Sequence, residues 1–349
     1  MYGERAMIFK KKPSGKKVAL VVLNVILSVI FVALLSLTVY VEWILGKVYH
    51  DPSQDVTLSS EQIEAALRED QTEPKPDEIT EIKPEDMEWA EVEKVESSDH
   101  IFNVLLVGQD RRPGEIRARS DTMILVTINT KDLTITMTSF MRDLFVQIPT
   151  IDPNRLNVPY VVGGFELLAD TLELNFGIRP DRYVEVDFAG FEHVINAVGG
   201  IDVELTPDEV AYFNRVFQFN ATPGVNHLNA EQALNYARCR SVEPDADFSR
   251  TRRQRAVVAA LIKRAKELNL AQINDLVMAI TEVLTTNLTS AEIMSYVVRF
   301  YPMIDQLSDP AELRIPYENN FYSAWADGIG AVIVPDLAAN SAVIAETQK

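Results

Sequence analysis

The sequence has few of the residues on which common catalytic sites are built. It contains one cysteine, Cys239, and its four histidines are scattered along the chain. A GxSxG nucleophile motif, an HExxH zinc motif and a cysteine pair are all absent. These absences exclude an internal disulfide and argue against a serine hydrolase or a zinc enzyme. We interpret the histidines as structural or exposed, and Cys239 as a packing residue.

Glycine-rich phosphate loops are also missing, since neither a GxxxxGKS/T loop nor a GxGxxG turn occurs. A phosphate site would therefore have to use side chains. Although the formal net charge is −18, six arginines fall between positions 238 and 255. Arginine pairs bidentately with phosphate oxygens and keeps its charge, so this concentration predicts a site for a polyanionic group. The alternative is that these arginines are solvated or paired with nearby carboxylates. They are Arg238, Arg240, Arg250, Arg252, Arg253 and Arg255.

Two carboxylates lie at the predicted ends of neighbouring strands. The first strand ends in GQD at 108–110, and the second begins directly after RSDT at 119–122. If these ends are adjacent, Asp110 and Asp121 form a hard-cation site beside Arg119, with Mg²⁺ bridging protein oxygens and substrate phosphates. Alternatively, each aspartate is an ordinary turn or cap residue. Further arginines near these segments are Arg111, Arg112, Arg117 and Arg142.

A long apolar run near the N-terminus is typical of a membrane span. Residues 18–41 carry no charge, and as a helix they would extend about 36 Å, enough to cross a bilayer. Five lysines precede the run, while its far side has Tyr40, Glu42 and Trp43. We therefore expect the N-terminus in the cytoplasm and the C-terminal domain outside the cell. A cleaved signal peptide is the alternative, but no small-residue cleavage site follows the run.

By composition the chain divides into four parts. These are a cytoplasmic basic tail at 1–17, a transmembrane helix at 18–45, an acidic flexible extracytoplasmic linker at 46–99 and a C-terminal domain at 100–349. Residues 51–100 hold 17 acidic and 4 basic side chains, so charge repulsion predicts an extended spacer. A short helix at 61–68, capped by Ser59 or Ser60, is expected within it.

The C-terminal part alternates strand-like and helix-like patterns. Strands are predicted at 102–107, 123–128, 133–138, 183–186, 201–205 and 311–315. Helices are predicted at 161–176, 188–197, 208–217, 229–238, 250–268, 271–284 and 290–301, with a last one from Pro335. This order predicts an α/β fold, a layered α/β/α domain with a central mixed sheet. Asn229 begins a capping-box pattern, and Arg250 and Gln254 lie one turn apart on the following helix.

Seven segments, in order, strongly resemble the LytR-CpsA-Psr family over about residues 100–265. They are NVLLVGQD, RSDT, SFMRD, RLNVPYVVGG, DRYVEVDFAGFEHVINAVGGIDVEL, HLNAEQALNYARCR and DFSRTRRQR. The resemblance implies a membrane-bound, Mg²⁺-dependent phosphotransferase. It would move a glycopolymer, such as teichoic acid, capsule or another secondary wall polymer, from an undecaprenyl-pyrophosphate carrier to peptidoglycan. The product would be a phosphodiester, with undecaprenyl phosphate as the leaving group.

The resemblance also implies roles for individual residues. Asp110 and Asp121 match the family's Mg²⁺ ligands. The positions that match its pyrophosphate clamp are Arg111, Arg119, Arg142, Arg238, Arg240, Arg250 and Gln254. Among them, the catalytic positions are Arg119, Arg142, Arg238, Arg240 and Arg250. One departure is that Phe140 and Met141 precede Arg142, where the family usually has Ile-Pro.

The polyprenyl chain would need an apolar channel, which we expect between the sheet and the covering helices. Phe188, Phe191, Val194 and Ile195 recur at helical spacing, a pattern more typical of ordinary core.

Two other function classes remain open at this stage. A non-catalytic polyprenyl-phosphate or wall-binding module would use the same arginines without turnover. A membrane-bound transcription regulator would need a basic cytoplasmic surface, and only the tail before residue 18 offers one. We favour the enzyme, with a polyprenyl-pyrophosphate-linked glycan, the peptidoglycan acceptor and the membrane as partners, and no nucleic acid.

Overall fold

The computed structural model of the chain describes residues 58–68, 75–96, 98–111, 115–244, 246–269, 272, 276 and 283–349. The predicted basic tail and the predicted membrane helix at 18–45 lie outside these residues, as does most of the helix predicted at 271–284. In the described part of the chain, no helix has both the length and the apolar character needed to span a bilayer.

The described residues form both β-strands and α-helices. The strands are β1 (Glu81–Ile82), β2 (Ile101–Gln109), β3 (Ser120–Asn129), β4 (Thr134–Phe140), β5 (Phe145–Ile148), β6 (Ile151–Arg155), β7 (Arg182–Val186), β8 (Ile201–Leu205), β9 (Gly224–Leu228), β10 (Thr285–Thr286), β11 (Ala311–Ile315), β12 (Phe321–Ala326) and β13 (Gly330–Pro335). The α-helices are α1 (Ser60–Arg68), α2 (Val158–Phe176), α3 (Phe188–Ala197), α4 (Pro207–Phe217), α5 (Ala230–Arg238), α6 (Ala246–Lys266), α7 (Ser290–Phe300) and α8 (Leu337–Glu346).

A mixed six-stranded sheet lies at the centre, in the order β10-β7-β2-β3-β4-β11. Strands β2, β3 and β4 are antiparallel neighbours, whereas β7 runs parallel to β2 and β11 runs parallel to β4. Burial alternates along β2, as expected when successive side chains point to opposite faces of a sheet. The predicted α/β fold with a central mixed sheet is confirmed.

Helices cover both faces of this sheet. On one face, α2 packs Phe165, Leu168 and Phe176 against Leu105 and Leu125 of the sheet. On the opposite face, α3, α4, α5 and α6 form a second apolar cluster with β8 and β9. The sheet is therefore the middle layer, and Leu106, Ile124 and Val184 face the helices on this second side.

The residues predicted to form an extended spacer are packed into the domain. Helix α1 has the predicted N-cap, because the Ser59 main-chain N donates to Gln62 Oε1 at 2.9 Å and the Gln62 N donates to Ser59 Oγ at 3.3 Å. Strand β1 pairs in parallel with β12, and the Trp89 ring lies 5.7 Å from the Phe145 ring. The spacer prediction is therefore wrong for residues 58–68 and 75–96, because a few apolar side chains anchor a largely acidic segment.

The C-terminal region also differs from the sequence-based prediction. Pro335 ends β13 instead of starting a helix, and α8 begins at Leu337 with Asp336 as its N-cap. The hairpins β5–β6 and β12–β13 and the strand β9 were not predicted. These strands are short, and short apolar runs give a weak strand signal.

Candidate active site

The ends of β2 and β3 bring the two predicted carboxylates to one place. Gly108 pairs with Thr122 in the antiparallel register, so the segments that carry Asp110 and Asp121 are adjacent. Both aspartates line the same cavity, which has a volume of about 490 Å³. The loop between these strands is held by Gln109, whose Oε1 accepts from the Ala118 main-chain N at 2.8 Å.

The cavity lies between the central sheet and the helical layer of α3, α5 and α6, and its walls are mostly apolar. Leu106, Ile124 and Val184 form the sheet side. Phe188, Phe191 and Val194 contribute from α3, and Val257, Val258 and Leu261 from α6. Ile195, the fourth member of the stripe, is instead fully buried in the second core cluster. Three of the four residues in this helical stripe therefore line the cavity, and only Ile195 is an ordinary core residue.

Arginines from two helices reach the polar part of this cavity. The residues that line it are Arg238 at the end of α5, Arg240 just beyond that helix, and Arg250 and Gln254 on α6. We call these four the clamp residues. Helix α5 starts with the predicted capping box at Asn229, which fixes where the helix begins. The Arg238 guanidinium carbon lies 4.1 Å from the Phe188 ring centroid, so Arg238 stacks where the apolar wall begins.

Asp247 joins three of the arginines and was not identified from the sequence. Its Oδ1 lies 3.0 Å from Arg240 Nε and 3.2 Å from Arg250 Nη2, and its Oδ2 lies 3.7 Å from Arg142 Nη2. Burial raises the pKa of Asp247, while Arg142 and Arg240 oppose this shift and Asp143 adds to it. The carboxylate holds the three guanidinium groups together. Its position three residues before Arg250 was the available sequence signal.

Arg142 connects this arginine group to the strand ends. Its Nη1 donates to Asp121 Oδ1 at 2.9 Å, and its Nε lies 3.5 Å from Asp143 Oδ2. Burial tends to lower the pKa of Arg142, but Asp143 and Asp121 outweigh it, so the pKa is raised above its usual value. Arg142 therefore stays charged beside the predicted cation site. Phe140 and Met141, which replace the usual Ile-Pro, do not prevent this arginine from reaching Asp121.

Two further arginines of the predicted clamp are placed differently. Arg119 Nη2 donates to the main-chain oxygen of Ala66 in α1 at 2.5 Å, and Arg119 does not line the cavity. Arg111 lies 3.9 Å from Glu185 and 3.8 Å from Asp187, a residue that lines the cavity. None of Arg111, Arg119 and Arg142 lines the cavity. Arg142 is linked to two of the clamp residues through Asp247, whereas Arg119 binds α1 and Arg111 lies beside Glu185 and Asp187.

Half of the six clustered arginines have partners away from the cavity. Arg252 and Arg253 form ion pairs with Glu209 and Glu243, and Arg255 Nε lies 2.9 Å from Glu312 Oε2. The expectation that the whole cluster serves one polyanion is wrong for these three. Arg252 and Arg255 lie off the helix face that Arg250 and Gln254 share, because only residues three or four positions apart lie on one face. Arg253 is three residues after Arg250, and its guanidinium group instead pairs with Glu209 and Glu243. In the other arginine-rich segment, Arg117 donates to the Val162 carbonyl and Arg112 lies outside the described residues.

The donor set near Asp110 and Asp121 fits a magnesium ion. Among the described residues no group of three histidine, cysteine or acidic side chains is arranged to hold a metal. Mg²⁺ does not need such a group, since it is commonly bound by one or two carboxylates together with water and substrate phosphates. Asp121 uses Oδ1 for Arg142, which leaves Oδ2 for a cation.

Comparison with known proteins identifies the family. The family described as LytR_cpsA_psr matches residues 58–341. This chain belongs to the LytR-CpsA-Psr family. The match begins at residue 58, which agrees with the packing of α1 and β1 into the domain and not with a domain start near residue 100.

Named members of the LytR-CpsA-Psr family resemble the chain over most of their length. A protein from Bacillus mycoides (strain KBAB4), named polyisoprenyl-teichoic acid--peptidoglycan teichoic acid transferase TagU, is 30% identical over 258 residues, which are 73% of this chain and 81% of the relative. A solved structure described as TagT bound to LIIa-WTA has a TM-score of 0.59 and 25% identity, covering 74% of this chain and 94% of TagT. The crystal structure of B. subtilis TagV has a TM-score of 0.57 and 28% identity, covering 72% of this chain and 96% of TagV.

Proposed function

We propose that this protein transfers a glycopolymer of the teichoic acid class from a polyprenyl-pyrophosphate carrier, such as undecaprenyl pyrophosphate, to peptidoglycan. The observation that carries the proposal is one cavity with an apolar wall and with four clamp residues and two aspartates at its polar end. This combination suits an amphiphile with a long apolar chain and a diphosphate head. The named function of the TagU relative supports the same substrate and acceptor classes.

The chemistry is a phosphoryl transfer in which the protein positions groups and neutralises charge. The oxygen of an acceptor hydroxyl bonds to the phosphorus of the glycan-linked phosphate, and its proton passes to solvent. The bond from that phosphorus to the bridging oxygen breaks, and polyprenyl monophosphate leaves with the electron pair. Arg238, Arg240 and Arg250 stabilise the negative charge that grows on the leaving phosphate.

Asp110 and Asp121 would hold Mg²⁺, which when bound supplies further neutralisation of the diphosphate oxygens. Arg142 keeps the Asp121 carboxylate oriented through the 2.9 Å hydrogen bond to Oδ1. Asp247 keeps Arg240 and Arg250 close together, since both form ion pairs with Asp247 Oδ1, at 3.0 and 3.2 Å. These carboxylates organise the site before the substrate binds, which reduces the ordering that binding requires.

The transferase proposal is tested by a reconstituted reaction. The full chain in detergent is incubated with Mg²⁺, a polyprenyl-pyrophosphate-linked oligosaccharide labelled in the sugar, and uncrosslinked peptidoglycan. We expect label in the peptidoglycan fraction and release of polyprenyl monophosphate in equal amount. Tight binding of the donor with neither product would instead support a wall-binding module.

The apolar wall predicts that the cavity accepts the polyprenyl chain. Val258→Trp places a bulky side chain in the cavity from α6 and displaces isoprene carbons, each of which contributes up to about 0.8 kcal/mol when buried. We expect the affinity for geranylgeranyl pyrophosphate to fall about tenfold or more, with little change for inorganic pyrophosphate. Isothermal titration calorimetry measures both. Lys263→Trp, on an exposed position of the same helix, is the matched control. Equal affinities of Val258→Trp and wild type for the lipid would contradict a chain in this cavity.

We also propose that residues 18–45 anchor the protein in the cell membrane as a single span, with the domain outside. The apolar run and its lysine-rich N-terminal flank support this orientation. Glu204 is exposed and Cys239 is buried, so Glu204→Cys introduces one accessible thiol. We expect a membrane-impermeant maleimide to label this variant in intact cells. Labelling that appears only after lysis would place the domain in the cytoplasm.

A further inference from the structure

One arginine of the 238–255 cluster has no exposed surface and lies outside the proposed chemistry. Arg253 is 0% exposed and is the largest fully buried side chain among the described residues. Its Nε donates to Glu209 Oε1 at 2.9 Å, its Nη1 donates to the Cys239 main-chain oxygen at 3.1 Å, and its Nη2 forms an ion pair with Glu243. Every nitrogen of the guanidinium group therefore has an acceptor.

The partners of Arg253 come from two separate parts of the fold. Glu209 lies in the first turn of α4, while Cys239 and Glu243 lie in the connection between α5 and α6. Together with Arg252, the group holds two arginines and two glutamates, so its charges cancel. Breaking a buried pair of this kind leaves an uncompensated charge, so such a cluster strongly favours one arrangement of its elements.

The position of Arg253 in the sequence gives this cluster a link to the cavity. Arg253 directly precedes Gln254 and follows Arg250 by one turn, and both of these line the cavity from α6. The carbonyl that Arg253 binds belongs to Cys239, which lies between Arg238 and Arg240. One buried side chain therefore connects the backbone of the first pair of clamp residues to the helix that carries the second pair.

We propose that Arg253 is a positioning residue that sets the spacing between the two pairs of clamp residues, so that both engage one diphosphate. The inference rests on the proposed polyprenyl-pyrophosphate substrate. A diphosphate has two phosphate groups at a fixed separation, so it binds best when the two pairs are held at a matching distance. A monophosphate needs only one pair and is less sensitive to this distance. Small errors in placement have large effects, since a shift of about 1 Å reduces catalytic rates about 100-fold in other enzymes.

The test compares two ligands on the full chain in detergent, geranylgeranyl pyrophosphate and geranylgeranyl monophosphate. Arg253→Lys keeps the positive charge, but one ammonium group cannot bind Glu209, Glu243 and the Cys239 carbonyl in the geometry of a guanidinium. We expect the preference for the diphosphate, taken as the ratio of the two dissociation constants, to fall about tenfold, equivalent to the loss of one well-placed charged hydrogen bond. A merely structural defect would lower the binding-competent fraction equally for both ligands and leave this ratio unchanged.

Arg255→Lys is the matched control, because Arg255 lies on the same helix, is also buried and has one carboxylate partner, Glu312 of β11. The ratio of the two dissociation constants of Arg255→Lys should stay within about twofold of the wild-type ratio. If Arg253→Lys does not fold, Glu243→Gln provides the measurement, since it removes the Arg253 Nη2 partner at a site that is 29% exposed. A wild-type ratio in the folded variant overturns the inference. Failure of the wild-type protein to bind the diphosphate refutes the proposed function, and the inference with it.

Discussion

Replacing Arg240 with alanine is expected to lower the rate of glycopolymer transfer by about 10²- to 10³-fold, the usual cost of removing one donor that stabilises transition-state charge. Arg240 lines the cavity and its Nε lies 3.0 Å from Asp247. Its removal takes away a positive charge where the leaving phosphate gains negative charge. Asp247 keeps Arg142 and Arg250 as partners, so the fold should be retained.

The rate is measured in the reconstituted reaction, with thermal unfolding as the check on folding. Arg215→Ala is the matched control, because Arg215 is an exposed arginine on α4 that contacts Tyr212 and does not line the cavity. Its rate should equal that of wild type. Wild-type turnover by Arg240→Ala would remove Arg240 from the site.

The second large effect is expected for Asp121→Asn, which should lower both activity and the affinity for Mg²⁺, the latter by at least about tenfold. The amide removes the negative charge that a hard cation prefers. It also weakens the ion pair to Arg142 Nη1, so excess Mg²⁺ should restore activity only in part. The activity is measured as a function of Mg²⁺ concentration, and Mn²⁺ binding followed by electron paramagnetic resonance reports the site directly.

Asp132→Asn serves as the control for this substitution. Asp132 is exposed, follows the opposite end of β3 and accepts a hydrogen bond from Asn129 Nδ2 at 3.0 Å. It should leave the Mg²⁺ dependence unchanged. If Asp121→Asn also had the wild-type dependence, Asp121 would not be a metal ligand.

Local patterns in the sequence were sufficient to predict the central elements. The apolar segments at β2 and β3 are long and bounded by polar residues, so periodicity alone locates them. The helix of residues 188–197 ends before two glycines and was predicted with the bounds that α3 has. The Asn229 capping box and the one-turn spacing of Arg250 and Gln254 are also local features, and both are present in the structure.

Features that depend on distant contacts could not be predicted in the same way. Glu209, the partner of Arg253, is 44 residues away in sequence, so no local pattern distinguishes this buried arginine from Arg250. The acidic composition before residue 100 predicted a spacer, and no local pattern indicated that Trp89 packs on Phe145. In the sequence Asp247 is an aspartate at the start of a helix, a common position for this residue. Its contact with Arg142 depends on the fold.

The most direct test of the central claim uses a geranylgeranyl pyrophosphate analogue with a photoreactive group on its last isoprene unit. After irradiation of the full chain in detergent, the modified residues are mapped by mass spectrometry. We predict modification of the cavity wall on α3 and α6, at residues such as Phe191, Val258 and Leu261, and suppression by excess unlabelled ligand. Modification confined to α2, α8 or other surfaces, or modification that excess ligand does not suppress, would contradict the account.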